Sequence, residues 1–174
     1  MLNGEVALVT GASRGIGQAI ALEMGRLGAT VIGTATSSAG AARISAFLAD
    51  AGSKGEGAVL EVRDAPQVEE LISRIEKTYG AVSVLVNNAG ITRDNLSLRL
   101  KDDDWDLVLD TNLKAVFRLS RGVMRGMMKA RRGRIINVTS VVGHAGNAGQ
   151  ANYCAAKAGV AGMSRALARE LASR

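Results

Sequence analysis

Apolar residues recur along this chain in two rhythms that take turns. Short unbroken runs of strand length alternate with stretches in which every third or fourth residue is apolar, the mark of one buried helix face. Val6 to Val9 is the first run, and Ile16, Ile20, Met24 and Leu27 give the first helical stripe. Ala29 to Thr36 predicts a second strand, and Ser38 to Gly52 a helix with Ala41, Ile44, Phe47, Leu48 and Ala51 inward. Ala58 to Val62 follows as a third strand. Asp64 and Pro66 then supply helix-start chemistry for a segment carrying Val68, Leu71, Ile72 and Ile75.

Val82 to Val86 is the fourth run and ends in Asn87-Asn88-Ala89-Gly90. A long helix is expected from Asp103 to Ala130, with Trp105, Leu109, Leu113, Val116, Phe117, Val123, Met124 and Met127 inward. Gly133 to Ser140 gives a fifth strand and Gln150 to Ser173 a last helix, with Thr92 to Lys101 and Val141 to Gly149 as longer loops. Such alternation predicts an α/β fold, a doubly wound parallel sheet with helices on both faces. Nothing in the pattern divides residues 1–174 into more than one domain.

The link between the first strand and its helix carries the first chemical signal, Thr10-Gly11-Ala12-Ser13-Arg14-Gly15-Ile16-Gly17. Glycine tolerates positive φ and has no Cβ, so backbone can approach a phosphate closely, and the anion then meets the free N–H groups and positive end of the following helix. The spacing differs from Gly-x-Gly-x-x-Gly but meets the same need; taken alone, it also fits a turn that binds nothing. Ligands of open parallel sheets gather at the carboxyl ends of the strands. Polar residues cluster at those ends here: Thr10 to Gly17, Thr34 to Ser37, Asn87 to Gly90 and Thr139-Ser140.

In the last helix Tyr153 and Lys157 stand four residues apart on one face, and Ser140 can face them across the loop. A cation one turn from a phenol favours its charged form and makes it a better proton donor near neutral pH. Outside this setting the same spacing would describe an ordinary surface pair.

Together these pieces resemble the short-chain dehydrogenase/reductase family. The resemblance rests on Thr10-Gly11-x-x-x-Gly15-x-Gly17, Asn87-Asn88-Ala89-Gly90, Asn112, Ser140 and Tyr153-x-x-x-Lys157, in the right order along the whole chain. It implies a Rossmann-like fold with Tyr153 as acid/base, Ser140 bonded to the substrate carbonyl, Lys157 on the nicotinamide ribose and Asn112 holding a proton-relay water. Gly11, Ser13, Arg14, Gly15, Ile16, Gly17, Thr36, Glu61, Val62, Asn88, Ala89 and Gly90 would line the cofactor together with Tyr153 and Lys157. Glu61 departs from the aspartate usual in the family. No acid stands in Gly33-Thr34-Ala35-Thr36-Ser37, where one would bond the ribose of NAD, while Arg14 offers a cation, so NADP(H) is the expected cofactor.

Within the family, Asn88-Ala89-Gly90-Ile91-Thr92-Arg93-Asp94-Asn95 and Gly146-Asn147-x-Gly149-Gln150-x-Asn152-Tyr153 resemble reductases of 3-oxoacyl groups carried on acyl carrier protein. That likeness implies a place in fatty-acid synthesis, a homotetramer, and docking of the acidic carrier at Arg131 and Arg174. Phe117, Met124, Met163 and Leu167 are candidates for subunit contact. Reduction of acetoacetyl-CoA or another ketone, or nucleotide binding without catalysis, stays open as an alternative.

Charge and composition sharpen the picture in places. Lys and Arg outnumber Asp and Glu by 22 to 16, a net +6 that suits an acidic partner. Arg118, Arg121, Arg125, Lys129, Arg131, Arg132 and Arg134 make up much of that excess. Only 3% of residues are aromatic and no binding motif interleaves with the arginines, which argues against nucleic acid. A lone Cys154 and a lone His144 leave no internal disulfide and no metal site. Without a signal segment or a bilayer-length apolar stretch, a cytoplasmic protein with no membrane role is expected. The resemblance also implies a further strand, a Pro-Gly segment and a substrate lid beyond the last helix. On that basis the chain is expected to be C-terminally incomplete, lacking the C-terminal strands of the full family fold. Its Ile135, Ile136 and Val138 would then lie on an uncovered edge, and the chain would be poorly active and marginally stable alone.

Overall fold

The first apolar run becomes the middle of a sheet. In the computed structural model, which describes residues 2–174, β1 (Val6–Val9) is buried throughout and pairs on both sides. Its neighbours are β2 (Thr30–Ala35) and β4 (Val84–Asn87); β3 (Gly55–Val59) lies outside β2 and β5 (Arg134–Asn137) outside β4. All pairings are parallel.

Side chains alternate across such strands, so each feeds two cores. Ala7, Val9, Val31, Val84 and Val86 face one side, under α1 (Gly15–Arg26) and α2 (Ser38–Asp50). Leu8, Ile32 and Leu85 face the other, under α3 (Ala65–Tyr79) and α5 (Ala115–Ala130). α3 forms as its sequence dictates: Asp64 Oδ1 accepts from the Gln67 N–H at 3.0 Å, and Val68, Leu71, Ile72 and Ile75 are buried. The short α6 (Val142–Ala145) interrupts the loop before α7 (Ala151–Leu171). No helix of the described residues is long and apolar enough to cross a membrane.

Four expectations are corrected. β3 begins at Gly55, not Ala58, because pairing with Val31–Ala35 selects a glycine-rich segment. A Cβ on Gly57 would stand 1.9 Å from the Ala41 carbonyl oxygen, so α2 approaches β3 only over glycine; Leu60 and Val62 are buried beyond the strand's end. α1 meets the sheet through Gly17 and Ala21, which leaves Ile16 64% exposed. α2 ends at Asp50, and Ala51 is exposed rather than inward.

The long helix, in turn, is α4 (Asp102–Leu109) and α5 joined by a five-residue π-turn, Asp110–Lys114. That wide turn breaks the regular 3.6-residue period. Trp105 and Phe117 are exposed, while Val108, Thr111, Asn112 and Ala115 take inner positions. Of the residues expected at a subunit contact, Leu167 is 9% exposed and lines the groove between α5, β5 and α7.

β5 pairs only with β4, and Ile136 on it is 44% exposed. α7 packs mainly against α4, α6 and the Asp110–Lys114 turn, and reaches β5 through the hydrogen bond from Asn137 Nδ2 to Ser164 Oγ.

Candidate functional site

The carboxyl end of β1 is tied to the end of β4 by the Thr10 hydroxyl and the Asn88 amide, and to β2 by Thr34. Thr10, buried, accepts at Oγ1 from the N–H groups of Asn88 and Ala89, each at 3.0 Å. Asn88 Nδ2 donates to the carbonyls of Thr10 and Gly11, both at 3.0 Å. From β2, Thr34 accepts the Gly11 N–H at 3.4 Å on Oγ1 and the Ala12 N–H at 2.8 Å on its carbonyl.

That stitching fixes the glycine turn. Gly11 holds φ +63, in the left-handed region that glycine tolerates best. A Cβ on Gly17 would stand 2.2 Å from the Gly11 carbonyl oxygen and 2.5 Å from Asn88 Nδ2. Arg14 enters α1 in an extended conformation, no side chain caps the helix, and its first turn holds no acid. Free N–H groups at the positive end of a helix therefore face the turn, a setting built for an anion.

A cleft of about 640 Å³ opens over this turn. Gly11, Ser13, Arg14, Gly15, Ile16, Gly17, Thr36, Glu61, Val62, Asn88, Ala89 and Gly90 all line it, whereas Tyr153 and Lys157 do not. Arg63 and Arg93 line it too, though sequence reading passed them over. Arg63 could have been found as a cation two residues beyond Glu61. It holds the Glu61 carboxylate through two contacts of 3.1 Å, and that bond keeps the Glu61 carboxyl below the usual carboxylate range. Arg118, expected on a solvated basic face, donates instead to the carbonyls of Val62 at 3.3 Å and Arg63 at 2.6 Å, steadying the cleft wall. Arg132 likewise pairs with Glu5. Among the described residues, Arg14 is the cleft cation with no carboxylate partner.

The remaining polar residues gather beyond β5. Ser140 Oγ accepts weakly from the Val142 N–H at 3.4 Å, which leaves its own proton free to donate. Gly143 lets α6 seat against α7: a Cβ there would lie 3.1 Å from the Ala158 nitrogen and 3.2 Å from the Lys157 Cβ. Lys157 is 5% exposed, its Nζ donates to the Val138 carbonyl at 2.8 Å, and the same Nζ sits 5.6 Å from the Tyr153 ring centre. Burial pushes the Lys157 ammonium below its ordinary range. Among the described residues, neither Ser140 nor Lys157 hydrogen-bonds the half-buried Tyr153 hydroxyl.

Asn112 lies in the π-turn, fully buried, and its side-chain amide pairs with Ile91, accepting its N–H at 2.9 Å and donating to its carbonyl at 2.8 Å. Its side chain is a brace for the segment after β4. Sequence position alone carried no hint of that.

A five-stranded parallel sheet, a glycine turn at a bare helix start and a tyrosine-lysine pair at the carboxyl edge define a nucleotide-dependent oxidoreductase of one kind. The family model for short chain dehydrogenase matches residues 5–174, and the chain belongs to that family, whose members use NAD(P).

The chain is also similar to particular reductases. It is 61% identical over 173 residues to the 3-oxoacyl-[acyl-carrier-protein] reductase FabG of Pseudomonas aeruginosa, covering 99% of this chain and 70% of that protein. The protein of the same name from Vibrio harveyi is 58% identical with the same coverage. That of Escherichia coli is 58% identical over 171 residues, covering 98% of this chain and 69% of the relative.

Proposed function

We propose that this chain carries out the NADPH-dependent reduction of 3-oxoacyl-[acyl-carrier-protein] to the 3-hydroxyacyl form in fatty-acid synthesis, with residues 1–174 acting as one dinucleotide-binding unit. The observation that carries the reading is 61% identity over 173 residues with a reductase named for that substrate.

The cleft fits a dinucleotide, since its turn admits no Cβ at Gly17 and presents uncapped N–H groups. Gly11, Ser13, Gly15, Ile16 and Gly17 would hold the pyrophosphate. Arg14, free of any carboxylate among the described residues, and Thr36 would take the 2′-phosphate, which supports NADP(H) over NAD(H). Glu61 and Val62 would meet the adenine, Asn88, Ala89 and Gly90 the middle of the cofactor, and Tyr153 and Lys157 the nicotinamide ribose. Bound there, NADPH supplies a hydride to the 3-keto carbon.

The protein's own residues handle the oxygen. Ser140 donates from Oγ to the keto oxygen and orients it. Tyr153 gives that oxygen its phenolic proton. Lys157, held to Val138 by one of its three N–H bonds, keeps a positive charge beside the ring and stabilises the phenolate left behind. Because the Asn112 side chain is committed to Ile91, a water relay would run over its backbone carbonyl in the π-turn.

Acyl carrier protein, being acidic, would dock at Arg131 and Arg174. Both line one groove between the end of α5, β5 and α7, and Arg131 Nη2 donates to the Ser173 carbonyl at 3.1 Å. A homotetramer would use the exposed Phe117 with Met124 and Met163, and the lone cysteine suits the reducing cytoplasm.

The test is NADPH oxidation with acetoacetyl-[acyl-carrier-protein], acetoacetyl-CoA and a simple cyclic ketone. The reading expects the carrier-bound substrate to be preferred and that preference to fall in Arg131→Glu. Equal rates on all three would overturn the assignment of carrier protein as partner.

A further inference from the structure

The segment leaving β4 is held at two places. Asn112 grips Ile91, as described, and a few residues on Arg93, Asp94 and Asn95 meet the chain entering α7. Asn152 Nδ2 donates to the Arg93 carbonyl at 3.0 Å and to the Asp104 carbonyl, in α4, at 3.4 Å. Gln150 Nε2 donates to Asp94 Oδ2 at 3.0 Å, and the Asn95 N–H donates to the Gly149 carbonyl at 2.9 Å.

Asn152 is the buried member of this set, at 0% exposure, and its Oδ1 accepts the Tyr153 N–H at 2.8 Å. Both amide protons and the amide oxygen are thus in use. The oxygen faces its own helix and the nitrogen faces two other elements, a division of labour that a carboxylate, having no donor when ionised, cannot reproduce.

We propose that Asn152 is a positioning residue: it locks the first turn of α7, and Tyr153 with it, onto the Ile91–Asn95 segment and α4, so that one wall of the cleft and the proton donor move as a single body. The functional weight of this rests on Tyr153 being the proton donor, but the clamp itself is readable without turnover.

Asn152→Asp separates a clamp from a local helix effect. Aspartate keeps the oxygen for the Tyr153 N–H, and as the second residue of a helix it favours the helix start. It places an anion against the carbonyls of Arg93 and Asp104. Hydrogen exchange without nucleotide, followed by mass spectrometry, is expected to accelerate by about ten-fold in both 91–95 and 150–157 for Asn152→Asp and Asn152→Ala alike, with β1 and α3 unchanged. Wild-type protection in Asn152→Asp, or acceleration confined to 150–157, would overturn the proposal. Should neither variant fold, the wild type decides: the two segments are expected to open with one denaturant dependence, and two distinct dependences would overturn the clamp. A chain that reduced no 3-oxo thioester would sink the functional reading and leave this exchange result standing.

Discussion

The two halves of the site are built differently. The nucleotide turn hangs from β1, buried throughout and paired on both sides, and is fixed by backbone bonds and by contacts that only glycine permits. Of the residues proposed for catalysis, Ser140 follows the end of β5 and Tyr153 and Lys157 stand on α7, beside a sheet edge with one neighbour, and this region is placed by side chains. Asn87 Nδ2 donates to Asn137 Oδ1 at 2.8 Å, Asn137 Nδ2 to Ser164 Oγ at 2.8 Å, and Lys157 to the Val138 carbonyl. The proposed cofactor site therefore rests on the centre of the sheet, and the proposed proton donor stands in a region held by a few polar ties. The two should be separable by mutation.

The most damaging change for the central half is Gly17→Ala. Its methyl must displace Gly11 or Asn88, so nucleotide binding is expected to disappear along with about 3 kcal/mol of stability, read by NADPH fluorescence and urea unfolding. Arg14→Glu leaves the turn intact and puts an anion where the 2′-phosphate would lie. NADPH affinity should fall by about a hundred-fold while NADH affinity changes little, and equal losses for both would disprove the role given to Arg14.

On the edge half the expected effects are smaller. Asn137→Ala removes the link between β4 and α7 and leaves Asn87 Nδ2 with only its 3.3 Å bond to Ser120 Oγ, at a cost of about 1–2 kcal/mol, with NADPH affinity unchanged and turnover reduced. A parallel loss of affinity would show that the halves are coupled after all.

Lys157→Met gives the smallest and most diagnostic change. Burial lowers the lysine's affinity for its proton in the folded chain, so the unfolded chain binds that proton more tightly. The stability contributed by this group therefore rises as pH climbs from the folded value toward the ordinary 10.5. The variant should gain about 1 kcal/mol or less at neutral pH, and the gain should shrink toward pH 10.5, as followed by thermal unfolding at several pH values.

The same contrast explains what the sequence made legible. β1, the glycine turn, the Asp64 cap and the four-residue spacing of Tyr153 and Lys157 are local statements, readable from a few neighbouring residues. β3 was displaced because its start depends on Val31 and on the clearance between Gly57 and Ala41, which are distant in sequence. The π-turn, the commitment of Asn112 to Ile91 and the turning of Arg118 toward Val62 likewise depend on tertiary partners. Most residues lining the cleft could be named from motifs, Arg63 and Arg93 excepted, whereas the tertiary partners of Asn112 and Arg118 could not.

The most direct test measures two properties of Tyr153→Phe on the same sample, NADPH binding and NADPH oxidation with a 3-oxoacyl thioester. The account expects affinity within about two-fold of wild type and turnover reduced by at least about a hundred-fold, since the general acid alone is removed. Retained turnover, or loss of binding together with turnover, would contradict it.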